Sequence, residues 1–358
     1  AKLVKREAYS LGFDNYGTPA TGSIRLNANA EINNLSKNGE SIGLGIASTD
    51  TLGTKTGSLS YSLPIGYLGQ RAGVAFSRSQ YVLGAGFSAT QSHGTSNALS
   101  AFTYYPIIRS VNQTVYIRGT AEVRTAINSV DLIQASFRSN ANVVRLAING
   151  DHVDSFYGGG YNVYNLTLSQ GYVGTTDPND SSATGPKSAG RFGKVAYSYA
   201  RQQALDGPAT IYANINGQYA NKNLDGSEQT GLGGPNSVRG YGGEAGGSTG
   251  AAATIELRYT NPLQIGSDIS NITYAAFFDR GWVKFYEVPI VAGAANSRAL
   301  SGYGLALTLQ SQGKVASPAS TSYYLRGMLG FHSMAAGQTS SVDPTSRRKF
   351  WIQGGYNF

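Results

Sequence analysis

Apolar and polar residues alternate one for one along this chain, in segment after segment, and few folds tolerate that pattern. In 23–32, SIRLNANAEI, one face is Ile24, Leu26, Ala28, Ala30 and Ile32, and the other is Arg25, Asn27, Asn29 and Glu31. In 211–219, Ile211, Ala213, Ile215 and Tyr219 oppose Asn214, Asn216 and Gln218. Near 303–310, Tyr303, Leu305, Leu307 and Leu309 oppose Gly304, Ala306, Thr308 and Gln310, and in 114–124 the polar face carries Arg118, Glu122 and Arg124. A period of two marks a strand with two unlike faces. These segments exceed the ~5–6 residues of an ordinary strand. They are long enough to cross a bilayer when tilted.

Sixteen such segments begin near residues 7, 22, 41, 57, 71, 97, 113, 141, 160, 191, 209, 250, 271, 299, 322 and 347. The spacing predicts an all-β fold, a 16-stranded antiparallel transmembrane β-barrel spanning residues 1–358 with ~10-residue strands. Composition agrees. Charged residues are 13%, against roughly a quarter in soluble domains. No run of ~18 apolar residues offers a membrane helix.

The connections alternate in character. NNLSKNG, LPIGYLG, YPIIRSVN, LDGPA and NPLQIGSD are compact, whereas VGTTDPNDSSATGPKSAG, EVPIVAGAANSR and SMAAGQTSSVDPTSR are longer and more polar. Short turns on one side and long loops on the other match barrels of the bacterial outer membrane, where the short turns face the periplasm. An even strand count places both termini there. The final strand, KFWIQGGYNF, puts Phe350, Ile352, Tyr356 and Phe358 on one face. A terminal strand ending in an aromatic residue is the assembly signal of such barrels. The expected partners are therefore the lipid bilayer and, during biogenesis, the outer-membrane assembly machinery.

Other chemistries find little support. The net charge is +8, but no basic cluster exceeds Arg347-Arg348-Lys349, so nucleic acid is not expected. The absence of Cys removes disulfides and thiolate metal sites. His93, His152 and His332 share no ligand spacing, so no metal is expected. GYGGEA at 240–245 fits the dinucleotide fingerprint, yet a strand follows where that motif needs a helix, so no cofactor is expected. No Gly-x-Ser-x-Gly elbow has plausible partners, and no enzyme activity is expected. Arg25, Arg118, Arg124 and Arg258, among Glu31, Glu122 and Glu256, point inward. They suit either a hydrated lumen of mixed charge or a path for an extended polypeptide.

The longest connection, about 220 to 249, contains GLGGPNSVRGYGGEAGG, with one arginine, Arg239, among glycines. One reading is a solvated turn in which Gly240 supplies a positive φ. The strand segment FFDRGWV, 277–283, offers another. Phe277, Asp279 and Gly281 continue the face of Asn271, Thr273 and Ala275, which is lumenal. The strand 250–260 points Glu256 and Arg258 inward and Ile255, Leu257 and Tyr259 outward. Acidic side chains inside the barrel thus flank the arginine-bearing loop.

With these residues in place, the chain resembles the barrel domain of two-partner secretion transporters, the TpsB (FhaC-type) family, in the superfamily that includes the barrel-assembly protein BamA. Val238-Arg239-Gly240-Tyr241 matches the superfamily's VRGY loop motif. Phe277-x-Asp279-x-Gly281 matches its F-x-D-x-G strand motif. LGFDNYG at 11–17 and LSYSLPIG at 59–66 are similar to the transporter branch. The resemblance implies that the long loop folds into the lumen and that Arg239 pairs with Asp279, with Glu256 as a further acidic partner. It implies export of an unfolded TpsA-type exoprotein, of the adhesin, haemolysin or contact-dependent toxin class, from periplasm to surface. An assembly factor of the BamA or TamA type is the second reading, a solute porin the third and a surface adhesin or structural barrel the fourth. The family carries a plug helix and two POTRA domains before the barrel. Neither is expected in this chain, which reads as the barrel alone.

Overall fold

The structure, a computed structural model, describes residues 6–265, 268–311, 321–333, 340 and 346–358. The first strands are β1 (Glu7–Asp14), β2 (Arg25–Asn33), β3 (Ser41–Thr49), β4 (Thr54–Ile65) and β5 (Gln70–Val82). Longer ones follow: β6 (Ser92–Arg109), β7 (Gln113–Val130), β8 (Ala135–Asp154), β9 (Gly160–Thr175), β10 (Gly190–Ala204) and β11 (Ala209–Ala220). Two three-residue strands, β12 (Thr230–Leu232) and β13 (Ala245–Gly247), pair only with each other. The chain then completes β14 (Thr249–Ile265), β15 (Asp268–Lys284), β16 (Ser297–Ser311), β17 (Ser322–His332) and β18 (Arg348–Asn357).

Leaving β12 and β13 aside, each strand pairs antiparallel with its neighbours in sequence, and β1 pairs with β18 to close a sixteen-stranded barrel. Closure removes the free edges that would otherwise leave backbone N–H and C=O groups unpaired in lipid. The alternation has the expected outcome. Leu26, Ile46, Leu59, Phe76, Leu257 and Leu305 stand exposed on the outer face, while their polar neighbours turn inward. Along β15, Ala275, Phe277, Asp279, Gly281 and Val283 are buried and the residues between them are exposed.

Several strand lengths depart from the sequence reading. Strands β6, β7 and β8 run 18, 18 and 20 residues, well beyond the ~10 expected. β8 begins at Ala135 rather than near 141. Nor are all connections on the long-loop side long: 50–53 and 131–134 are four-residue links. The long connection after β11 is not plain coil. It holds a single 3-10 turn, Gly226–Glu228, and the β12–β13 hairpin. Most of SMAAGQTSSVDPTSR, and residues 266–267 of NPLQIGSD, lie outside the described residues.

The barrel closes on a short seam in which Ser10–Asp14 pair with Gln353–Asn357. Phe358 extends it. Its amide donates to the Tyr9 carbonyl and the Tyr9 amide donates back, both at 3.0 Å, with the two rings stacked 5.5 Å apart. Phe350, Tyr356 and Phe358 are exposed on the outer face with Ile352 between them, while Trp351 turns inward and is buried.

Candidate functional site

Three inward positions of β15, two residues apart, receive the loop in three different ways. Phe277 supplies a ring, and the Arg239 guanidinium carbon lies 3.5 Å from its centroid. Asp279 supplies the carboxylate. Its Oδ2 accepts from Arg239 Nε at 2.8 Å and from the Arg239 amide at 3.0 Å, and its Oδ1 accepts from Arg239 Nη2 at 2.7 Å. Gly281 supplies room, because a Cβ there would stand 2.8 Å from Leu232 Cδ1 and 3.2 Å from Val238 Cγ2. The spacing F-x-D-x-G is thus a strand's own period, with a floor, an anion and a hole on one face.

Arg239 uses its whole fork. Nη1 donates to Glu256 Oε1 on β14. Glu256 also accepts from Arg258 Nε at 2.7 Å, and Arg326 on β17 reaches it at 3.4 Å. Thr254 adds a 2.8 Å hydrogen bond to Asp279 Oδ1. Arg239, Asp279 and Glu256 are all buried. A planar guanidinium suits this arrangement, bidentate to one carboxylate, directed at a second and stacked on a ring. Burial is tolerable only because the charges meet so fully.

The rest of the VRGY motif packs as tightly. Val238 and Tyr241 are fully buried with Leu232, Val283 and Leu300. The Tyr241 ring lies flat on His332, 3.9 Å between centroids and 3° from parallel. Trp351 Nε1 donates to the Arg239 carbonyl at 2.8 Å. Gly240 is not a positive-φ residue, which corrects the solvated-turn reading. Its requirement is close approach: a Cβ would stand 2.5 Å from the Phe331 carbonyl oxygen. Positive φ falls instead on Gly233 and Gly234, where the loop turns.

Sequence reasoning missed several participants. Trp351 and Arg326 lie on inward strand positions with nothing local to mark them. Glu228, in the 3-10 turn, is buried against Arg124, Arg145 and Lys194. Of the arginines read as lining the lumen, Arg25 binds Asp14 at 2.6 Å and Arg118 stands 5.0 Å from the Phe102 ring. The two transporter-type stretches also have structural work. Tyr16, of DNYG, meets Trp351 edge-on at 5.7 Å. In YSLPIG, Arg71 of β5 donates to the Ser62 carbonyl and hydroxyl and to the Gly39 carbonyl, fastening β4 to the 34–40 turn. Among the described residues no three His, Asp or Glu side chains gather as a metal site.

Comparison with known proteins gives this geometry a family. The chain is 24% identical over 357 residues to the heme/hemopexin transporter protein HuxB of Haemophilus influenzae (strain 86-028NP), covering 97% of this chain and 59% of HuxB. It is 29% identical over 281 residues to the outer membrane transporter CdiB of Dickeya dadantii, covering 75% of this chain and 48% of that protein. The chain therefore spans about half to three-fifths of these relatives. Among solved structures, CdiB from Escherichia coli superposes with a TM-score of 0.76 at 18% identity, over all of this chain and 64% of that one. BamA from Haemophilus ducreyi lacking POTRA domains 1-3 gives a TM-score of 0.65 at 14% identity, over 99% of this chain and 71% of that one. The barrel is that of an integral outer-membrane protein. The profile of the haemolysin secretion/activation proteins ShlB/FhaC/HecB matches residues 3–308, and the chain belongs to that family.

Proposed function

We propose that this chain forms the translocation pore of a two-partner secretion transporter, passing an unfolded exoprotein of TpsA type from the periplasm to the cell surface. The observation that carries this reading is the seating of Arg239 on Asp279 and Glu256. A simple diffusion pore has no need to bury an arginine against its inner wall. A transporter needs a loop that occupies or organises the lumen until substrate arrives. The arc of the barrel across the seam from that wall supports the reading: Ser10, Asn29, Gly43, Ser58 and Ser60 of β1–β4 line a cavity of about 690 Å³, with Glu31, Arg71 and Tyr104 also on its lining. Small polar side chains there would give an extended chain few places to stick. The bilayer is the second partner. The C-terminal strand, with Phe350, Ile352, Tyr356 and Phe358 facing out, would be what the assembly machinery reads.

A barrel-assembly role is the second reading, since the VRGY and F-x-D-x-G motifs suit it equally and BamA has a similar fold. Family membership and the relatives HuxB and CdiB support the transporter. The test is single-channel conductance in planar bilayers for the wild type, Arg239→Ala and a chain with 225–247 shortened. Small, flickering currents that grow larger and steadier in both variants are expected. In cells that secrete the exoprotein, Arg239→Ala should block secretion while the barrel still inserts. Large stable currents unchanged by either variant would displace this reading in favour of a porin.

A further inference from the structure

The loop carries a second charge to the wall, of opposite sign. Glu228 Oε1 accepts from Arg124 Nη2 at 2.7 Å and Arg145 Nη2 at 3.2 Å, and its Oε2 lies 2.8 Å from Lys194 Nζ. The Glu228 carbonyl accepts from Lys194 Nζ at 2.8 Å and Gln218 Nε2 at 3.0 Å. The Asp225 carboxylate caps the turn through the Ser227 amide. These cations sit on β7, β8 and β10, on a different arc of the barrel from the β14–β18 wall that holds Arg239.

The two anchors differ in what release would leave behind. If Arg239 left, Asp279, with a fully buried side chain, would keep only the Thr254 hydroxyl. A buried carboxylate stripped of its cation is strongly disfavoured. If Glu228 left, Arg124 and Arg145 would remain paired with Glu122, at 3.3 and 3.0 Å. Only Lys194 would turn to water. The Arg124 and Arg145 side chains are 17% and 23% exposed, against 4% for Arg239, so water and salt reach that end.

We infer that the loop is a strap with a fixed end at Arg239 and a releasable end at Glu228, a positioning residue whose detachment frees residues 225–229 while the VRGY segment stays seated. That release would widen the lumen beside β7–β10, a consequence that rests on the pore reading; the two-anchor arrangement does not. Hydrogen–deuterium exchange of the chain in lipid vesicles tests it. In Glu228→Gln, amides in peptides covering 225–229 should exchange at least ~10-fold faster, with 239–241 within ~2-fold of wild type. Raising KCl to about 1 M should speed exchange at 225–229 in the wild type but add little in the variant, because salt reaches these partly exposed cations and not the buried Arg239. Unchanged protection at 225–229, or equal loss at 239–241, would overturn the inference. Should Glu228→Gln fail to fold, the triple variant Arg124→Gln, Arg145→Gln and Lys194→Gln strips that wall of its three cations without touching the loop and carries the same two outcomes. A conductance unaffected by Arg239→Ala, beside the expected exchange pattern, would remove the pore reading and leave the strap.

Discussion

Asn15 pairs with Ile352 across the barrel seam as a strand residue would, but with its side chain. The Asn15 amide donates to the Ile352 carbonyl at 3.1 Å, while its Oδ1 accepts from the Ile352 amide at 2.8 Å. Its Nδ2 donates onward to the Phe350 carbonyl at 3.0 Å. The backbone ladder between β1 and β18 stops at Asp14–Gln353, and Asn15 carries it further. Asn15→Ala removes two hydrogen bonds at ~0.5–1.5 kcal/mol each. It should destabilise the barrel by about 1–3 kcal/mol, read as a lower temperature for loss of the folded band on unheated SDS gels. Asn15→Asp keeps the acceptor but sets a carboxylate against the Phe350 carbonyl, and should not rescue. Wild-type behaviour of Asn15→Asp would show that the donor arm contributes nothing.

Arg239→Lys should fail almost as badly as Arg239→Ala. One ammonium cannot chelate both oxygens of Asp279, reach Glu256 and lie flat on Phe277. Truncation of one partner in a buried pair costs about 3–5 kcal/mol. Chemical denaturation in detergent micelles should place the lysine variant within about 1 kcal/mol of the alanine variant. A lysine variant close to wild type would mean that charge alone, not the fork, seats the loop.

Gly330 tests backbone approach without touching a charge. A Cβ there would stand 2.5 Å from the Arg239 carbonyl oxygen and 2.7 Å from the Gly240 nitrogen, atoms of main chain that have nowhere to go. Gly330→Ala should lift the loop and reproduce the enlarged, steadier currents expected of Arg239→Ala, with β16 and β17 still paired. Gly231 is the control, since a Cβ there meets nothing within 4 Å. Equal currents from the two alanine variants would separate loop seating from conductance.

The barrel was legible because lipid imposes its demand residue by residue. Wherever β-strands cross the bilayer, every second side chain is apolar, and the pattern survives without any knowledge of neighbours. The signal fades outside the apolar band. The start of β8 was missed because its outward residues there are Ser136, Arg138 and Asn140, all exposed and polar, while Ala135, Phe137 and Ala141 turn inward, the reverse of the pattern lipid imposes. The link from Arg239 to Asp279 came from resemblance to a family, not from periodicity, and the structure brings those two side chains together. Nothing local could tie Glu228 to Arg145, 83 residues earlier. Charges matched across a closed barrel depend on which strands end up side by side, and a two-residue period carries no such information.

The loop between β9 and β10, residues 176–189, should respond to acid through one carboxyl. Asp180 is buried, and burial alone pushes its carboxyl up. The Ser188 hydroxyl and amide, at 2.6 and 2.8 Å, and the Ala189 amide, at 3.1 Å, outweigh that with help from nearby Lys222. Its pKa is therefore held below the ordinary value. A depressed carboxyl stabilises the folded loop fully above the unfolded pKa, about 3.9, and that contribution is lost as pH falls through the folded value. Lys222 also donates to the Ser188 carbonyl at 3.0 Å, and Asn223 donates to the Pro186 carbonyl at 2.8 Å, so this loop is fastened to the root of the arginine-bearing one. Hydrogen exchange corrected for intrinsic rates should show protection of 177–189 unchanged from pH 7 to about pH 5 and falling below about pH 4. Asp180→Asn should lower that protection at every pH and flatten its acid dependence. Loss of protection already at pH 6 in the wild type would mean that some other group governs the loop, and that its attachment to Lys222 and Asn223 does not pass through Asp180.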